Sequence, residues 1–377
     1  MGEIGQVDRA TMRRPRIESI QVMRGVAAIA VLVTHSLDMA WNSDPAFSSE
    51  QLGHLPQFGA IGVDLFFVIS GFVMAFSVYG KDGLTAGRRF LVQRWIRVGP
   101  PYLIVTAVAI ALSLAAGQLP AWRSLANSIL FVPWFDVEKF TFPPLIVGWT
   151  LSLEFTFYLF VLAVVLMSAT RHIGYLALAI AALVAIGFVV PNGVFLLDWI
   201  TNPIFLEFAF GILAYIVWTK GWLDRFRPVF TIGAIAGLAA LVVQLVVGYG
   251  SIFQAEVVLD GRVSMQRVIW WGLPMLLIFL AVLPVQPRKT RAHTRLWLLL
   301  GNASFSIYLV HVPVIRLVQY AAKYSPLVVP GWTVLAIALV SGVVAGLLFF
   351  RFVERPLTKW LSSSGSHLNS SKPEMVR

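Results

Sequence analysis

The residues best suited to chemistry in this sequence are Arg24 and His35, which lie eleven positions apart in the apolar segment QVMRGVAAIAVLVTH. An arginine binds phosphate or carboxylate well because its guanidinium holds several donors in one plane. A histidine can take a proton from a hydroxyl near neutral pH. On a helix, this spacing puts both side chains on one face, about 16 Å apart. A lone buried histidine can also be a helix–helix hydrogen bond, so the spacing alone leaves both interpretations open.

Two further polar residues, Asp64 and Ser70, lie in the segment FGAIGVDLFFVISGFVMAF. Either side chain could hydrogen-bond the segment that carries His35, and Asp64 could orient its ring. Gly62 and Gly71 would let another backbone approach closely, which favours helix packing over a direct role in chemistry.

Polar residues of the same kind recur later in the chain. Glu154 lies in GWTLSLEFTFYL and, like Asp64, could orient the imidazole of His35. Trp149 and Tyr158 of the same segment also suit an aromatic belt at a membrane interface. Tyr308 and His311 lie in SFSIYLVHVPV and could form a second polar site or pack between helices. The candidates for catalysis are therefore His35, Asp64 and Glu154, and those for substrate contact or a second polar site are Ser70, Trp149, Tyr308 and His311.

The stretch RRFLVQRWIRVGPPY is densely cationic. Its arginines could bind an anionic, phosphate-bearing cofactor. The usual excess of basic residues on the inner side of a membrane accounts for them equally well. The candidate cofactor-binding residues are Arg24, Arg89, Arg94 and Arg97.

These residues lie in or beside long apolar runs, in a chain of 377 residues of which 58% are hydrophobic and 12% charged. A helix needs about 20 mostly apolar residues to cross a bilayer, and lipid offers the backbone no hydrogen-bond partners. We therefore expect an all-α, polytopic bundle of about ten membrane-spanning helices. The expected positions are 17–39, 58–79, 99–117, 145–168, 173–190, 203–219, 229–248, 267–284, 299–321 and 332–352. The prolines at 100 and 101 are expected to open the third helix.

Charge and cysteine content narrow the classes of protein. Lysine and arginine concentrate on one side of the predicted helices if both termini are cytoplasmic, which predicts a multi-pass protein of the bacterial inner (plasma) membrane. That asymmetry explains the net charge of +11 without a nucleic acid partner. The chain has no cysteine, which excludes disulfides, thiolate catalysis and cysteine metal ligands. We expect no metal.

At these residues the sequence resembles the membrane-bound acyltransferase family 3, over essentially the whole chain from Ile17 to Leu357. The most specific element is a basic residue, ten residues and a histidine in the first helix, here Arg24 and His35. Further motifs follow in the family's order: GVDLFFVISGF, the RxxRxxPxY pattern from Arg94, WTLSLEFTFY, SIYLVH and ERP. Within the family, GWTLSLEFTFY looks most like the branch that acts on exopolysaccharides such as succinoglycan.

The resemblance implies that His35 is the essential catalytic histidine and that acyl-CoA, usually acetyl-CoA, is the donor. It implies transfer to a hydroxyl of a lipid-linked or surface polysaccharide. We expect an acyltransferase domain over 1–360, in contact with membrane lipid, and a disordered cytoplasmic tail over 361–377. The alternatives are a proton-coupled transporter, which intramembrane charges also suit, and a sensor or scaffold without catalysis.

Overall fold

The structure is a computed structural model that describes residues 17–44, 53–131, 134–136, 139–190, 195–255, 261–285, 291–327 and 329–367. These ranges are almost entirely helical. The first half contains α1 (Glu18–Ser43), α2 (Leu55–Phe58), α3 (Ile61–Val78), α4 (Leu84–Ala115), α5 (Trp122–Leu130), a hairpin of β1 (Trp134–Asp136) and β2 (Lys139–Thr141), α6 (Trp149–Leu166) and α7 (Gly174–Val189). Two 3-10 turns, Ile146–Gly148 and Thr170–His172, precede α6 and α7.

The second half contains α8 (Phe195–Ile200), α9 (Phe205–Thr219), α10 (Trp222–Arg225), α11 (Arg227–Val247), α12 (Gly261–Arg267), α13 (Leu273–Val282), α14 (Ala292–Asn302), α15 (Ser304–Lys323), α16 (Gly331–Phe349) and α17 (Arg355–His367). Two π-helical turns, Val268–Gly272 and Phe350–Glu354, join α12 to α13 and α16 to α17. Such turns interrupt the regular ladder and are frequent at functional sites.

Nine helical stretches within the described ranges are long and apolar enough to cross a membrane. They are Glu18–Trp41, Leu55–Val78, Leu84–Ala115, Ile146–Leu166, Leu196–Thr219, Arg227–Val247, Gly261–Val282, Ser304–Lys323 and Gly331–Ser363. The remaining predicted helix, 173–190, is α7, which is apolar but has only 16 residues. The predicted polytopic helix bundle is confirmed.

Helix α4 differs from its prediction. It has 32 residues and begins at Leu84, so Pro100 and Pro101 lie inside it and do not open it. Each proline removes a backbone donor, but its fixed φ is compatible with a helix. The hydropathy pattern missed the first half because that half is cationic. As a result Arg94 and Arg97, three residues apart, lie on one face of a helix that continues into the membrane.

Helix α3 lies at the centre of the bundle, where it contacts α1 and α9. A Cβ atom at Gly62 would collide with the carbonyl of Ala27 in α1, and one at Gly71 with the carbonyl of Phe208 in α9. The predicted role of these glycines in close helix packing is therefore confirmed.

The boundary predicted at residue 361 falls within a helix, because α17 continues to His367. Residues 368–377 of the predicted tail lie outside the described residues.

Candidate active site

Helices α1 and α15 bring the predicted arginine and histidines together. Near the start of both helices, Arg24 Nε donates a hydrogen bond to Ser304 Oγ at 3.1 Å. Farther along, the ring centroids of His35 and His311 lie 5.1 Å apart. Because these contacts occur in the same order along both helices, α1 and α15 run in the same direction. The stripe of α1 that carries Arg24 and His35 therefore faces α15.

A cavity of about 100 Å³ opens beside Arg24 and is lined by α1, α3, α4, α6 and α15. Its lining combines aromatic and aliphatic side chains with a polar group. The predicted site residues that line it are Arg24, Ser70, Arg94, Arg97, Glu154 and Tyr308. The sequence alone therefore predicted most of the polar residues that line this cavity.

Glu154 accepts hydrogen bonds from two neighbours in this cavity. Ser70 Oγ of α3 donates at 3.1 Å, and the hydroxyl of Tyr158, one turn along α6, donates to the same oxygen, Oε1. The carboxylate is therefore held in place by two helices. This arrangement does not match the predicted role of Glu154 in orienting His35, because its hydrogen bonds go to other groups.

The cavity carries an excess of positive charge. Arg24, Arg94 and Arg97 contribute three guanidiniums, against one carboxylate from Glu154. The buried Nε of Arg94 has no hydrogen-bond partner among the described residues. A buried donor without a partner is costly, so a bound acceptor would stabilise it. The cavity is suited to a polar or anionic group on a narrow apolar arm.

A second, larger cavity of about 570 Å³ lies at the other side of Arg94. Its lining includes Lys81, Arg89 and Gln93 together with Arg94 itself. Arg89 is exposed and does not reach the inner cavity. Arg94 is therefore the point at which a surface site and a buried site meet.

Tyr308 lines the inner cavity and also contacts one of the two histidines. Its hydroxyl lies 2.8 Å from Thr150 Oγ1 and donates to the carbonyl of Val147 at 3.2 Å. Its ring centroid is 5.9 Å from that of His311.

The partner of Asp64 is Arg267, which its sequence context did not predict. Arg267 donates from Nε to Oδ1 at 2.9 Å and from Nη2 to Oδ2 at 2.8 Å. Both oxygens are thus engaged, and the predicted role of Asp64 in orienting His35 is corrected to a buried ion pair. The ring that neighbours His35 belongs to His311.

The cavity contact that was expected of Trp149 is made by Tyr158 instead. Trp149 is buried at the start of α6 and does not line the inner cavity. Tyr158, assigned to an aromatic belt, lines the cavity and bonds Glu154. The spacing of four residues was the available signal, because residues i and i+4 share a helix face.

Glu354, in the ERP motif, also belongs to this region. Ser306 Oγ donates to Glu354 Oε2. The carboxylate also interacts electrostatically with Arg97 and Arg24. The π-helical turn that ends at Glu354 thus contributes an acidic group next to the arginines of the cavity.

Comparisons with known proteins identify the family of this chain. A family model described as an acyltransferase domain matches residues 17–351. The exopolysaccharide production protein ExoZ of Rhizobium meliloti (strain 1021) is 30% identical over 317 residues, which cover 83% of this chain and 93% of the relative. The acyltransferase MdmB of Streptomyces mycarofaciens is 30% identical over 384 residues, which cover 92% of each chain.

A more distant relative is nodulation protein 10 of Rhizobium leguminosarum bv. viciae, 28% identical over 226 residues that cover 54% of this chain and 60% of the relative. No solved structure matches. The family model covers most of the chain and the motif residues Arg24 and His35 lie within it. This membrane protein therefore belongs to the acyltransferase family 3, and it is an O-acyltransferase.

Proposed function

We propose that this protein transfers an acetyl or other short acyl group from cytoplasmic acyl-CoA to a hydroxyl of a cell-surface or exopolysaccharide sugar. The observation that carries the proposal is the pair of arginine-lined cavities that share Arg94, together with the contacts that connect Tyr308 of the inner cavity to His311 and His311 to His35. ExoZ, which is named for exopolysaccharide production, supports a polysaccharide acceptor.

The donor would occupy both cavities. The phosphates of CoA suit the surface cavity of Lys81, Arg89 and Arg94, because guanidinium groups bind phosphate through charge-assisted hydrogen bonds. The narrow, uncharged arm would pass Arg94 into the inner cavity, between Ser70 and Glu154. Its thioester would then approach Tyr308 and, beyond it, the two histidines.

His35 supplies the chemistry at the end of this path. Its imidazole takes the proton of the sugar hydroxyl, and the oxygen attacks the thioester carbonyl carbon. The carbon–sulfur bond breaks, and the released thiolate of CoA takes the proton back from the imidazolium. An ester on the sugar and free CoA are the products. A variant of this route forms an acyl-histidine first.

The test uses purified protein in lipid vesicles with labelled acetyl-CoA and a membrane fraction that supplies lipid-linked polysaccharide. Free CoA and label in the polysaccharide should both appear, and His35→Ala should lower both to a small residual rate. His172→Ala is the control, because His172 is exposed and stacks on Tyr175, 5.8 Å away, outside both cavities. Transfer at the normal rate by His35→Ala would refute this mechanism.

The same assay separates the proposal from proton-coupled transport. A transporter would move solute across the vesicle membrane without releasing CoA. Acyl-histidine formation would appear as label on the protein before the acceptor is added, and this label should be absent in His35→Ala.

A further inference from the structure

His311 is the only ring that the described part of the chain places against His35. The centroids lie 5.1 Å apart and the rings are tilted by 34°. His311 is 0% exposed, whereas His35 is half-buried. The pair thus has an enclosed member in α15 and a more accessible member in α1.

The tautomer of His311 follows from its hydrogen bond within α15. Its Nδ1 lies 3.1 Å from the carbonyl oxygen of Ile307. A carbonyl can only accept, so the neutral ring must carry its proton on Nδ1. The other ring nitrogen, Nε2, therefore holds a lone pair.

That lone pair has no partner. Nε2 of His311 is buried and makes no hydrogen bond to any described residue. Buried polar atoms are rarely left unsatisfied in folded proteins, and one beside an active site calls for a functional explanation. The group it lacks is a hydrogen-bond donor.

We propose that His311 is the positioning residue of His35: its Nε2 accepts a hydrogen bond from the His35 ring N–H and thereby fixes the tautomer of His35. The inference rests on the proposed function. The separation of 5.1 Å between centroids allows a nitrogen of His35 to come within hydrogen-bond distance of His311 Nε2 by rotation of the His35 ring, while His311 keeps its bond to Ile307. The second nitrogen of His35 is then left unprotonated and available to the sugar hydroxyl.

His311 thereby takes the role of orienting the His35 imidazole, which Asp64 and Glu154 do not fill. Both carboxylates are held by other groups, Asp64 by Arg267 and Glu154 by Ser70 and Tyr158. When His35 takes the hydroxyl proton it becomes an imidazolium, and its hydrogen bond to His311 becomes charge-assisted and stronger. His311 therefore stabilises the charged intermediate without itself touching the substrate.

Two substitutions separate this role from packing. His311→Asn keeps an amide donor near the Ile307 carbonyl but removes the Nε2 acceptor. His311→Gln is longer and can place an amide oxygen where Nε2 lies. We expect His311→Asn to lower kcat by about 100-fold or more, because general-base catalysis contributes about 100- to 10,000-fold and depends on the tautomer of the base. The KM for acetyl-CoA should change by less than about twofold, because binding does not involve His311. His311→Gln should recover at least part of the lost kcat.

A double variant supplies the decisive comparison. If His311 acts through His35, then His311→Asn should have no further effect on the residual rate of His35→Ala. Thermal unfolding of each variant checks folding, and His172→Asn is the matched control. Normal kcat in both His311 variants would overturn the inference, and so would a loss of kcat in His311→Asn that His311→Gln shares in full. Failure of the unaltered protein to release CoA would overturn the proposed function first, and that outcome is distinct from both.

Discussion

Arg267 and Asp64 form a buried ion pair between α12 and α3, with side chains only 1% and 0% exposed. The guanidinium also donates from Nη1 to the carbonyl of Ile252 at 3.1 Å, and it lies 5.1 Å from the ring centroid of Trp271. Every side of the guanidinium is thus occupied by protein. Such a pair fixes the relative position of two helices rather than serving as a reagent.

Replacing one partner of this pair should destabilise the protein far more than replacing both partners. Asp64→Leu or Arg267→Met alone leaves a buried group without the partner that binds it through two hydrogen bonds, which costs about 3–5 kcal/mol. The double variant replaces both charges with apolar groups and should be more stable than either single variant. Thermal unfolding of the four proteins in detergent measures this. Single variants as stable as the unaltered protein would refute it.

The sequence predicted residues near one another in the chain better than it predicted their long-range partners. Asp64 was recognised as a candidate site residue, yet its partner Arg267 is 203 positions away and only the assembled bundle pairs them. The assignment of Asp64 to His35 failed for this reason. By contrast, Arg24 and His35 share a helix, so their common face followed from helical geometry alone.

The start of α4 shows a second limit of sequence reasoning. Hydropathy marks where a helix is surrounded by lipid, but the helical backbone continues past that point into the polar half from Leu84. Tyr158 illustrates a signal that was present but given too little weight. Its side chain lies one turn from Glu154, and that spacing already predicted a shared face.

Arg94 should control binding of the donor more than the chemical step. It lines both cavities, so Arg94→Gln removes a phosphate or arm contact made equally in the ground state and the transition state. We expect KM for acetyl-CoA to rise about tenfold or more with kcat nearly unchanged. Arg94→Lys should recover only part of the affinity, because lysine cannot bind a phosphate with two parallel hydrogen bonds.

Arg171→Gln is the control for this measurement. Arg171 is exposed and lines neither cavity, but its substitution changes the net charge by the same amount. A similar rise of KM in this control would assign the effect to general electrostatic attraction. A fall of kcat in Arg94→Gln without a rise of KM would contradict the predicted role in binding.

Gly71 should not tolerate a larger side chain. A Cβ atom there would overlap the backbone of Phe208, which cannot move without separating α3 from α9. We expect Gly71→Ala to destabilise the protein by about 1–3 kcal/mol through overpacking. At Gly233 in α11, the nearest atom is the flexible end of Leu277. Gly233→Ala should therefore be neutral or stabilising, since alanine favours the helix. Equal thermal stability of the two variants would contradict this contrast.

The predicted cytoplasmic placement of both termini can be tested directly, because the chain has no cysteine of its own. Arg171 precedes α7 and Lys323 ends α15, and both side chains are exposed. A cysteine at position 323 should react with a membrane-impermeant maleimide added to intact cells, whereas one at position 171 should react only after the membrane is opened. The lysine and arginine asymmetry requires this pattern, because basic loops stay on the cytoplasmic side. The reverse pattern would place the arginine-lined cavities on the outer face, where acyl-CoA could not reach them from the cytoplasm.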